Sequence, residues 1–272
     1  MTKVVDMQQA VILEKQATAS DDSQYSLVQI IGLWAMVALP MFFLAWVIAP
    51  ALAPYSPFHP GITYWLLIIV GMIWQFVFSL IILYREMGTL NIRRIRERTW
   101  LTPPEEPKTG KKNYWLFLWV IPAILFNGLV TEFSDILDVP WVNIFPFLAP
   151  RSFMDIAELA TPEFNGAWWL LGIVLLSSIF NYFLGEELFF HGILLPKMKG
   201  AFGKWDWVAN AVFFGLYHLH KPWAIPGIIV SCLSYSLPAT RFKSNWMAVI
   251  VHGFEGIILF IIVLGIILGL AG

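Results

Sequence analysis

Apolar residues dominate seven stretches of the chain, near 27–49, 62–84, 114–134, 166–195, 205–220, 223–238 and 245–270. A bilayer core takes ~20 apolar residues per helix. The pattern therefore predicts an all-α fold, a polytopic integral membrane helical bundle of about seven transmembrane helices. The stretch 223–238 is the least regular, being short and holding Pro226 and Pro238. The stretch 166–195 is long enough to tilt or to project from the membrane. Residues 1–26 are polar and mixed in charge, without a basic start and a short apolar core. They are expected to be a tail with at most one short helix, not a cleavable signal.

Composition agrees with the pattern. Hydrophobic residues make up 58% and charged residues 13%, against ~45–50% and ~25% in soluble domains. The 14 Trp and 22 Phe suit interfacial belts and lipid-facing surfaces. One cysteine, Cys232, excludes an intramolecular disulfide.

Charge placement suggests an orientation. The segment after the second stretch carries Arg85, Arg93, Arg94, Arg96, Arg98, Lys108, Lys111 and Lys112. If it is cytoplasmic, seven crossings put 15 of the 17 Lys and Arg inside, with only Arg151 and Lys221 outside. The expectation is a cytoplasmic N-terminus, an external C-terminus, and residence in the plasma or cytoplasmic membrane. The acidic segment between the third and fourth stretches is then external, and RSFMDIAELA within it reads as a short interfacial helix.

Polar residues inside the apolar stretches carry the candidate chemistry. Glu186 and Glu187 are adjacent in NYFLGEELFFHGILLP, His218 lies in FFGLYHLH, and His252 in VIVHGFEG. Ionisable groups cost roughly 2.5–3.5 kcal/mol each at the centre of a membrane helix. At ~1.5 Å per residue, Glu186, His218 and His252 stand about 15, 20 and 10 Å from the same face. One site between three helices is therefore geometrically open. Glu187 and His191, four residues apart, share a helix face. Glu186 points about 100° away, so the two acids can have separate jobs. Glu255, one turn after His252, is a candidate partner for it. Phe214 reads as packing, His220 as interfacial, and His59 as a solvated loop residue.

These residues resemble the motifs of the CPBP intramembrane proteases, the CAAX protease and bacteriocin-processing family, also called ABI. GEELFFHGILLPKM is similar to the first motif: two Glu, three residues, Arg, then Gly. FFGLYHLH resembles Phe-x-x-x-His through Phe214 and His218. HGFEG resembles His-x-x-x-Asn through His252. The resemblance covers about 166–260. It divides the chain into the tail (1–26), accessory transmembrane helices and loops (27–165) and a protease-like core (166–272).

The resemblance implies an intramembrane endopeptidase. Glu186 would be the base, holding a water with His218. Glu187 would pair with residue 191, and His252 would stabilise the oxyanion. It implies a peptide or membrane-protein substrate, prenylated or leader-type, in the lipid bilayer, and no nucleic acid. It leaves glutamic and metalloprotease chemistry both open. Zn²⁺ needs three protein ligands, a number that Glu186, His218 and His252 would supply. Position 191 is His where the family usually has Arg, and position 256 is Gly where it has Asn. An imidazole lacks the guanidinium fork, and Gly256 offers no donor for an oxyanion, so an Asn there would be expected to raise activity. These departures keep a second reading open, a weakly active family member serving as membrane chaperone or regulator. A third, a proton-coupled transporter, fits the buried acids but not the absence of repeated halves.

Overall fold

The computed structural model describes residues 23–270. The expectation of a tail over 1–26 therefore falls mostly outside the described residues. Among the described residues six helices are long and apolar enough to cross a membrane. In chain order they are α1 (Leu27–Tyr55), α2 (Pro60–Met87), α4 (Tyr114–Glu132), α6 (Leu170–Lys197), α8 (Pro222–Phe242) and α9 (Asn245–Ile267). Shorter helices lie among them, including α3 (Ile92–Arg98), α5 (Asp135–Ile144) and α7 (Asp206–Tyr217). Among the described residues there is no strand, only an isolated bridge between Glu105 and Lys112. The chain is an integral membrane helical bundle.

One expected span is shorter than expected, and the one expected to be weakest is borne out. The stretch 205–220 yields α7, of 12 residues, about 18 Å long; it is shorter than a full membrane-spanning helix, although with it the chain passes from the basic end, at Asp206, to the other end, at Pro222. It stops because His218 leaves the helical region at ψ 42° and its ring Nδ1 donates to Phe214 O at 2.9 Å. The stretch 223–238, expected to be weakest, forms the longer α8. Pro222 and Pro226 fall in its opening turns, where a missing N–H leaves no intrahelical bond unmade. The segment 152–159 forms two 3₁₀ turns, Ser152–Met154 and Ile156–Leu159, rather than one interfacial helix.

Local signals set several helix ends. Ser26 and Gln29 form a capping box at the start of α1. His59 is not a free loop residue: its Nδ1 accepts from Gly61 N–H at 3.1 Å and caps α2. Gly88 ends α2 in the left-handed region.

The main core joins Met41 and Met72 to Phe189, Phe190, Phe214 and Tyr217. A second cluster, around Leu159, Leu170 and Ile266, seals the other end. The same ends can be recognised by contact. Gln24, Lys197, Asp206 and Lys243 line one cavity, which puts the start of α1, the end of α6, the start of α7 and the end of α8 together. At the opposite end Trp141 Nε1 donates to Pro222 O at 3.0 Å, and Gly166 N–H donates to Ile267 O at 2.8 Å. α1 thus begins at the basic end of the bundle and α9 finishes at the other.

Candidate active site

Helix α6 is not one regular helix. It runs as an α-helix over Leu170–Ile179, a π-helix over Phe180–Leu184, and a second π-helix over Leu188–Leu194. The two glutamates sit at the join. Gly185 makes the join possible, because a Cβ there would lie 2.5 Å from Phe180 O and 2.9 Å from Met72 O. Wide turns change which carbonyls find helical partners, and in a membrane no water replaces them. Side chains do so here. Asn245 Nδ2 donates to Glu187 O at 3.1 Å, and Asn210 Nδ2 to Phe190 O at 2.8 Å. Arg98 Nη1 and Nη2 donate to Gly192 O and Ile193 O at 3.1 and 3.2 Å. Arg98, read from sequence only as one charge of a basic loop, is buried and paired with Glu86 at 2.8 Å.

The adjacent glutamates face different surroundings. Glu187 is fully buried. Its Oε2 lies 2.7 Å from His191 Nδ1 and its Oε1 2.8 Å from His252 Nδ1. His191 Nε2 continues to Ser236 Oγ at 3.0 Å, whose hydroxyl donates to Asn210 Oδ1 at 3.0 Å. The imidazole at 191 therefore fills its place with a bond at each ring nitrogen, without a guanidinium.

Glu186 instead lines a cavity of about 710 Å³, together with His218, His252 and Glu255. The Asn181 amide lies against Glu186; oriented with its nitrogen toward the carboxylate, as the surrounding acceptors require, it donates to Oε2 at 2.7 Å and Oε1 at 3.2 Å. Because Phe214 O can only accept, His218 Nδ1 carries the hydrogen. In the neutral ring Nε2 then keeps its lone pair.

Phe214 sets the spacing of the rings. Its centroid is 5.4 Å from that of His218, 5.7 Å from His191 and 5.7 Å from His252. Tyr235 stacks on His252 at 4.8 Å. Its hydroxyl donates to Glu255, which also accepts from Asn127 Nδ2 at 2.9 Å. Glu255 stands 3.8 Å from His252 Nε2, an electrostatic neighbour rather than a hydrogen-bond partner.

One expectation needs correction. His220 is buried, not interfacial. It lines the cavity beside His218, with ring centroids 5.2 Å apart, and its Nδ1 has no hydrogen-bond partner among the described residues. Among the described residues no group of three or more His, Cys, Asp or Glu side chains is placed to hold a metal ion. Glu187, rather than Glu186, takes His252 Nδ1, and His218 Nδ1 is occupied by a carbonyl.

The sequence reading passes over Asn127, Asn181, Tyr182 and Tyr235. Asn127 had a usable signal, a lone amide in the apolar run VIPAILFNGLV. It brings α4 into the cavity wall, beside Tyr64, Ile68 and Met72 of α2. Tyr182 had none, since a tyrosine in a span is ordinary. Its ring stands edge-on to His252 at 4.9 Å and occupies the space beside Gly256.

Residues 165–258 match the family model described as type II CAAX prenyl endopeptidase Rce1-like. No curated protein and no solved structure matches the chain.

Proposed function

We propose, taking the segment 165–258 as the Rce1-like CAAX-type endopeptidase core it matches, that the cavity hydrolyses a peptide bond of a membrane-associated peptide. The carrying observation is the division of the glutamates: Glu186 lines the cavity while Glu187 is locked between two imidazoles behind it.

Glu186 is the general base. Its carboxylate takes one proton from a water, whose oxygen bonds to the scissile carbonyl carbon. His218 Nε2 accepts the water's second hydrogen and so orients it. As the carbonyl π bond opens, negative charge gathers on the carbonyl oxygen. His252, held through Nδ1 by Glu187, presents Nε2 to that oxygen; when it carries a proton there, it donates. The intermediate collapses by breaking the C–N bond. The leaving amine takes its proton from the Glu186 carboxyl, which returns the base to its starting state. Asn181 fixes the carboxylate, and Phe214 spaces the rings. The apolar wall formed by Ile68, Met72, Ile228, Phe254 and Ile258 suits an apolar segment beside the scissile bond, as in the prenylated peptides that the family's description names. The basic end of the bundle is placed in the cytoplasm, by the positive-inside bias.

The test is purified protein on a panel of prenylated C-terminal and leader-type peptides, with and without a chelator. Glu186→Gln keeps the size and some hydrogen bonding but cannot take the proton. Cleavage should fall by about 10²–10⁴-fold in protein that still purifies. His218→Ala should lose a similar factor, and the double variant little more, because one water is served by both. The chelator arm separates glutamate-only from metal-dependent hydrolysis. Cleavage by Glu186→Gln at the wild-type rate removes this site from the reaction and leaves the regulator reading in its place.

A further inference from the structure

A second cavity, of about 790 Å³, opens at the basic end of the bundle. Five basic side chains line it, Arg98, Lys197, Lys199, Lys204 and Lys243, against two acids, Glu97 and Asp206. The charges are not equivalent. Arg98 and Lys197 are buried and held by Glu86, at 2.8 and 3.3 Å. Glu97 pairs with Arg93 at 3.1 Å, and Asp206 accepts from Trp207 N–H at 2.8 Å. Lys199, Lys204 and Lys243 are exposed, and none lies within 4 Å of a carboxylate among the described residues.

Lys243 adds an independent observation. It ends α8 in the left-handed region at φ 44°, a conformation that glycine adopts freely and other residues resist. The chain keeps a lysine there, with its charge at the cavity.

The position decides what the ligand is. The lining includes residues at the start of α1, the end of α6 and the end of α8, so the cavity lies at the level of lipid headgroups. The first turns of α1, next to the lining residue Gln24, expose Leu27, Val28 and Ile31, an apolar strip along which acyl chains can run. Lys204 lies over the Trp205 ring at 5.5 Å, an amphipathic pair suited to the interface. We propose that this cavity binds the phosphate of an anionic phospholipid headgroup, with Lys199, Lys204 and Lys243 as its cationic contacts. Basic pockets between membrane helices suit such headgroups. The site has a route to the proteolytic cavity, because Arg98 lines it and also holds two carbonyls of α6. The binding claim does not depend on proteolysis.

The experiment uses the full chain in detergent, titrated with short-chain phosphatidylglycerol, with phosphatidylcholine of the same chain length, and with inorganic phosphate. Bound lipid is counted by native mass spectrometry, and the thermal midpoint is followed alongside. Phosphatidylglycerol should bind and raise the midpoint, and phosphatidylcholine should do neither. Each Lys→Gln exchange at 199, 204 or 243 should weaken binding about fivefold, while Lys204→Arg keeps it. These side chains are exposed, so the midpoint without lipid should not move. Equal binding of the two lipids, or undiminished binding by the triple Gln variant, overturns the proposal. So does inorganic phosphate binding as tightly as phosphatidylglycerol, which would assign the cavity to a soluble anion.

Discussion

Glu187 Oε1 lies 2.8 Å from His252 Nδ1, a contact between residues 65 positions apart that ties α6 to α9. The other oxygen of the same carboxylate holds His191. One buried acid thus anchors two imidazoles, and its neighbour is left to face the cavity. Glu187→Gln should therefore act on the fold as well as on cleavage. An amide can accept from one ring but offers N–H groups to the other. Leaving a buried ring nitrogen without its hydrogen-bond partner costs about 1–3 kcal/mol, so the thermal midpoint in detergent should drop clearly. Glu186→Gln should leave the midpoint near wild type. Equal midpoints for the two variants would refute the division of roles.

Gly256 is expected from sequence to be a missing donor that Asn would restore. The packing corrects that. A Cβ at 256 would stand 2.6 Å from Tyr182 Cε2 and 2.9 Å from Cδ2, and the same ring abuts His252. Overpacking of a tight site costs typically 1–3 kcal/mol. Gly256→Asn alone should lower both midpoint and cleavage, and Tyr182→Ala with Gly256→Asn should recover part of the midpoint. A single Asn variant as stable as wild type would show that the ring yields freely.

Arg98 joins Glu86 to two carbonyls of the π-helical segment. Lysine keeps the charge but cannot make the fork. Arg98→Lys should therefore destabilise nearly as much as Arg98→Gln, by about 1.5–3 kcal/mol for each hydrogen bond lost from the charged group. Chemical or thermal unfolding of the two variants side by side reads this. A lysine variant at wild-type stability would reduce Arg98 to a point charge.

Asp138, on the short helix α5 outside the spans, accepts from Gly227 N–H at 2.8 Å. Burial lifts its carboxyl above the ordinary aspartate value, partly offset by that N–H. A folded-state pKa above the unfolded one means that the stability contribution is present at low pH and lost as pH rises through the folded value. Asp138→Asn keeps the acceptor without the charge. Its midpoint should exceed wild type at pH 7, and the two curves should converge as pH falls through the ordinary aspartate range. A constant difference across pH would place the effect elsewhere.

Hydropathy is a local property, so the membrane class and most of the spans could be read from the chain, and the Glu, Phe and His motifs marked the residues that gather around Phe214. The i, i+4 spacing was enough to pair Glu187 with His191. It was not enough to find His252 on the same carboxylate, since that contact depends on how α9 packs against α6. α7 was overread because apolar composition does not register a helix end made by a histidine ring bonding back to its own turn.

What the sequence by itself determined is therefore the apolar spans, the ends of most of them, and which ionisable groups lie within them. Tertiary structure alone decided which way each of those groups faces. The turn at Gly185 brings Met72 O and Phe180 O to where only a residue without a Cβ fits, and the π segments persist because Arg98, Asn210 and Asn245 satisfy carbonyls on α6. Those partners lie 20 to 95 residues away in the chain. No local pattern encodes them, because a buried carbonyl is satisfied by whichever donor the packing brings within about 3 Å.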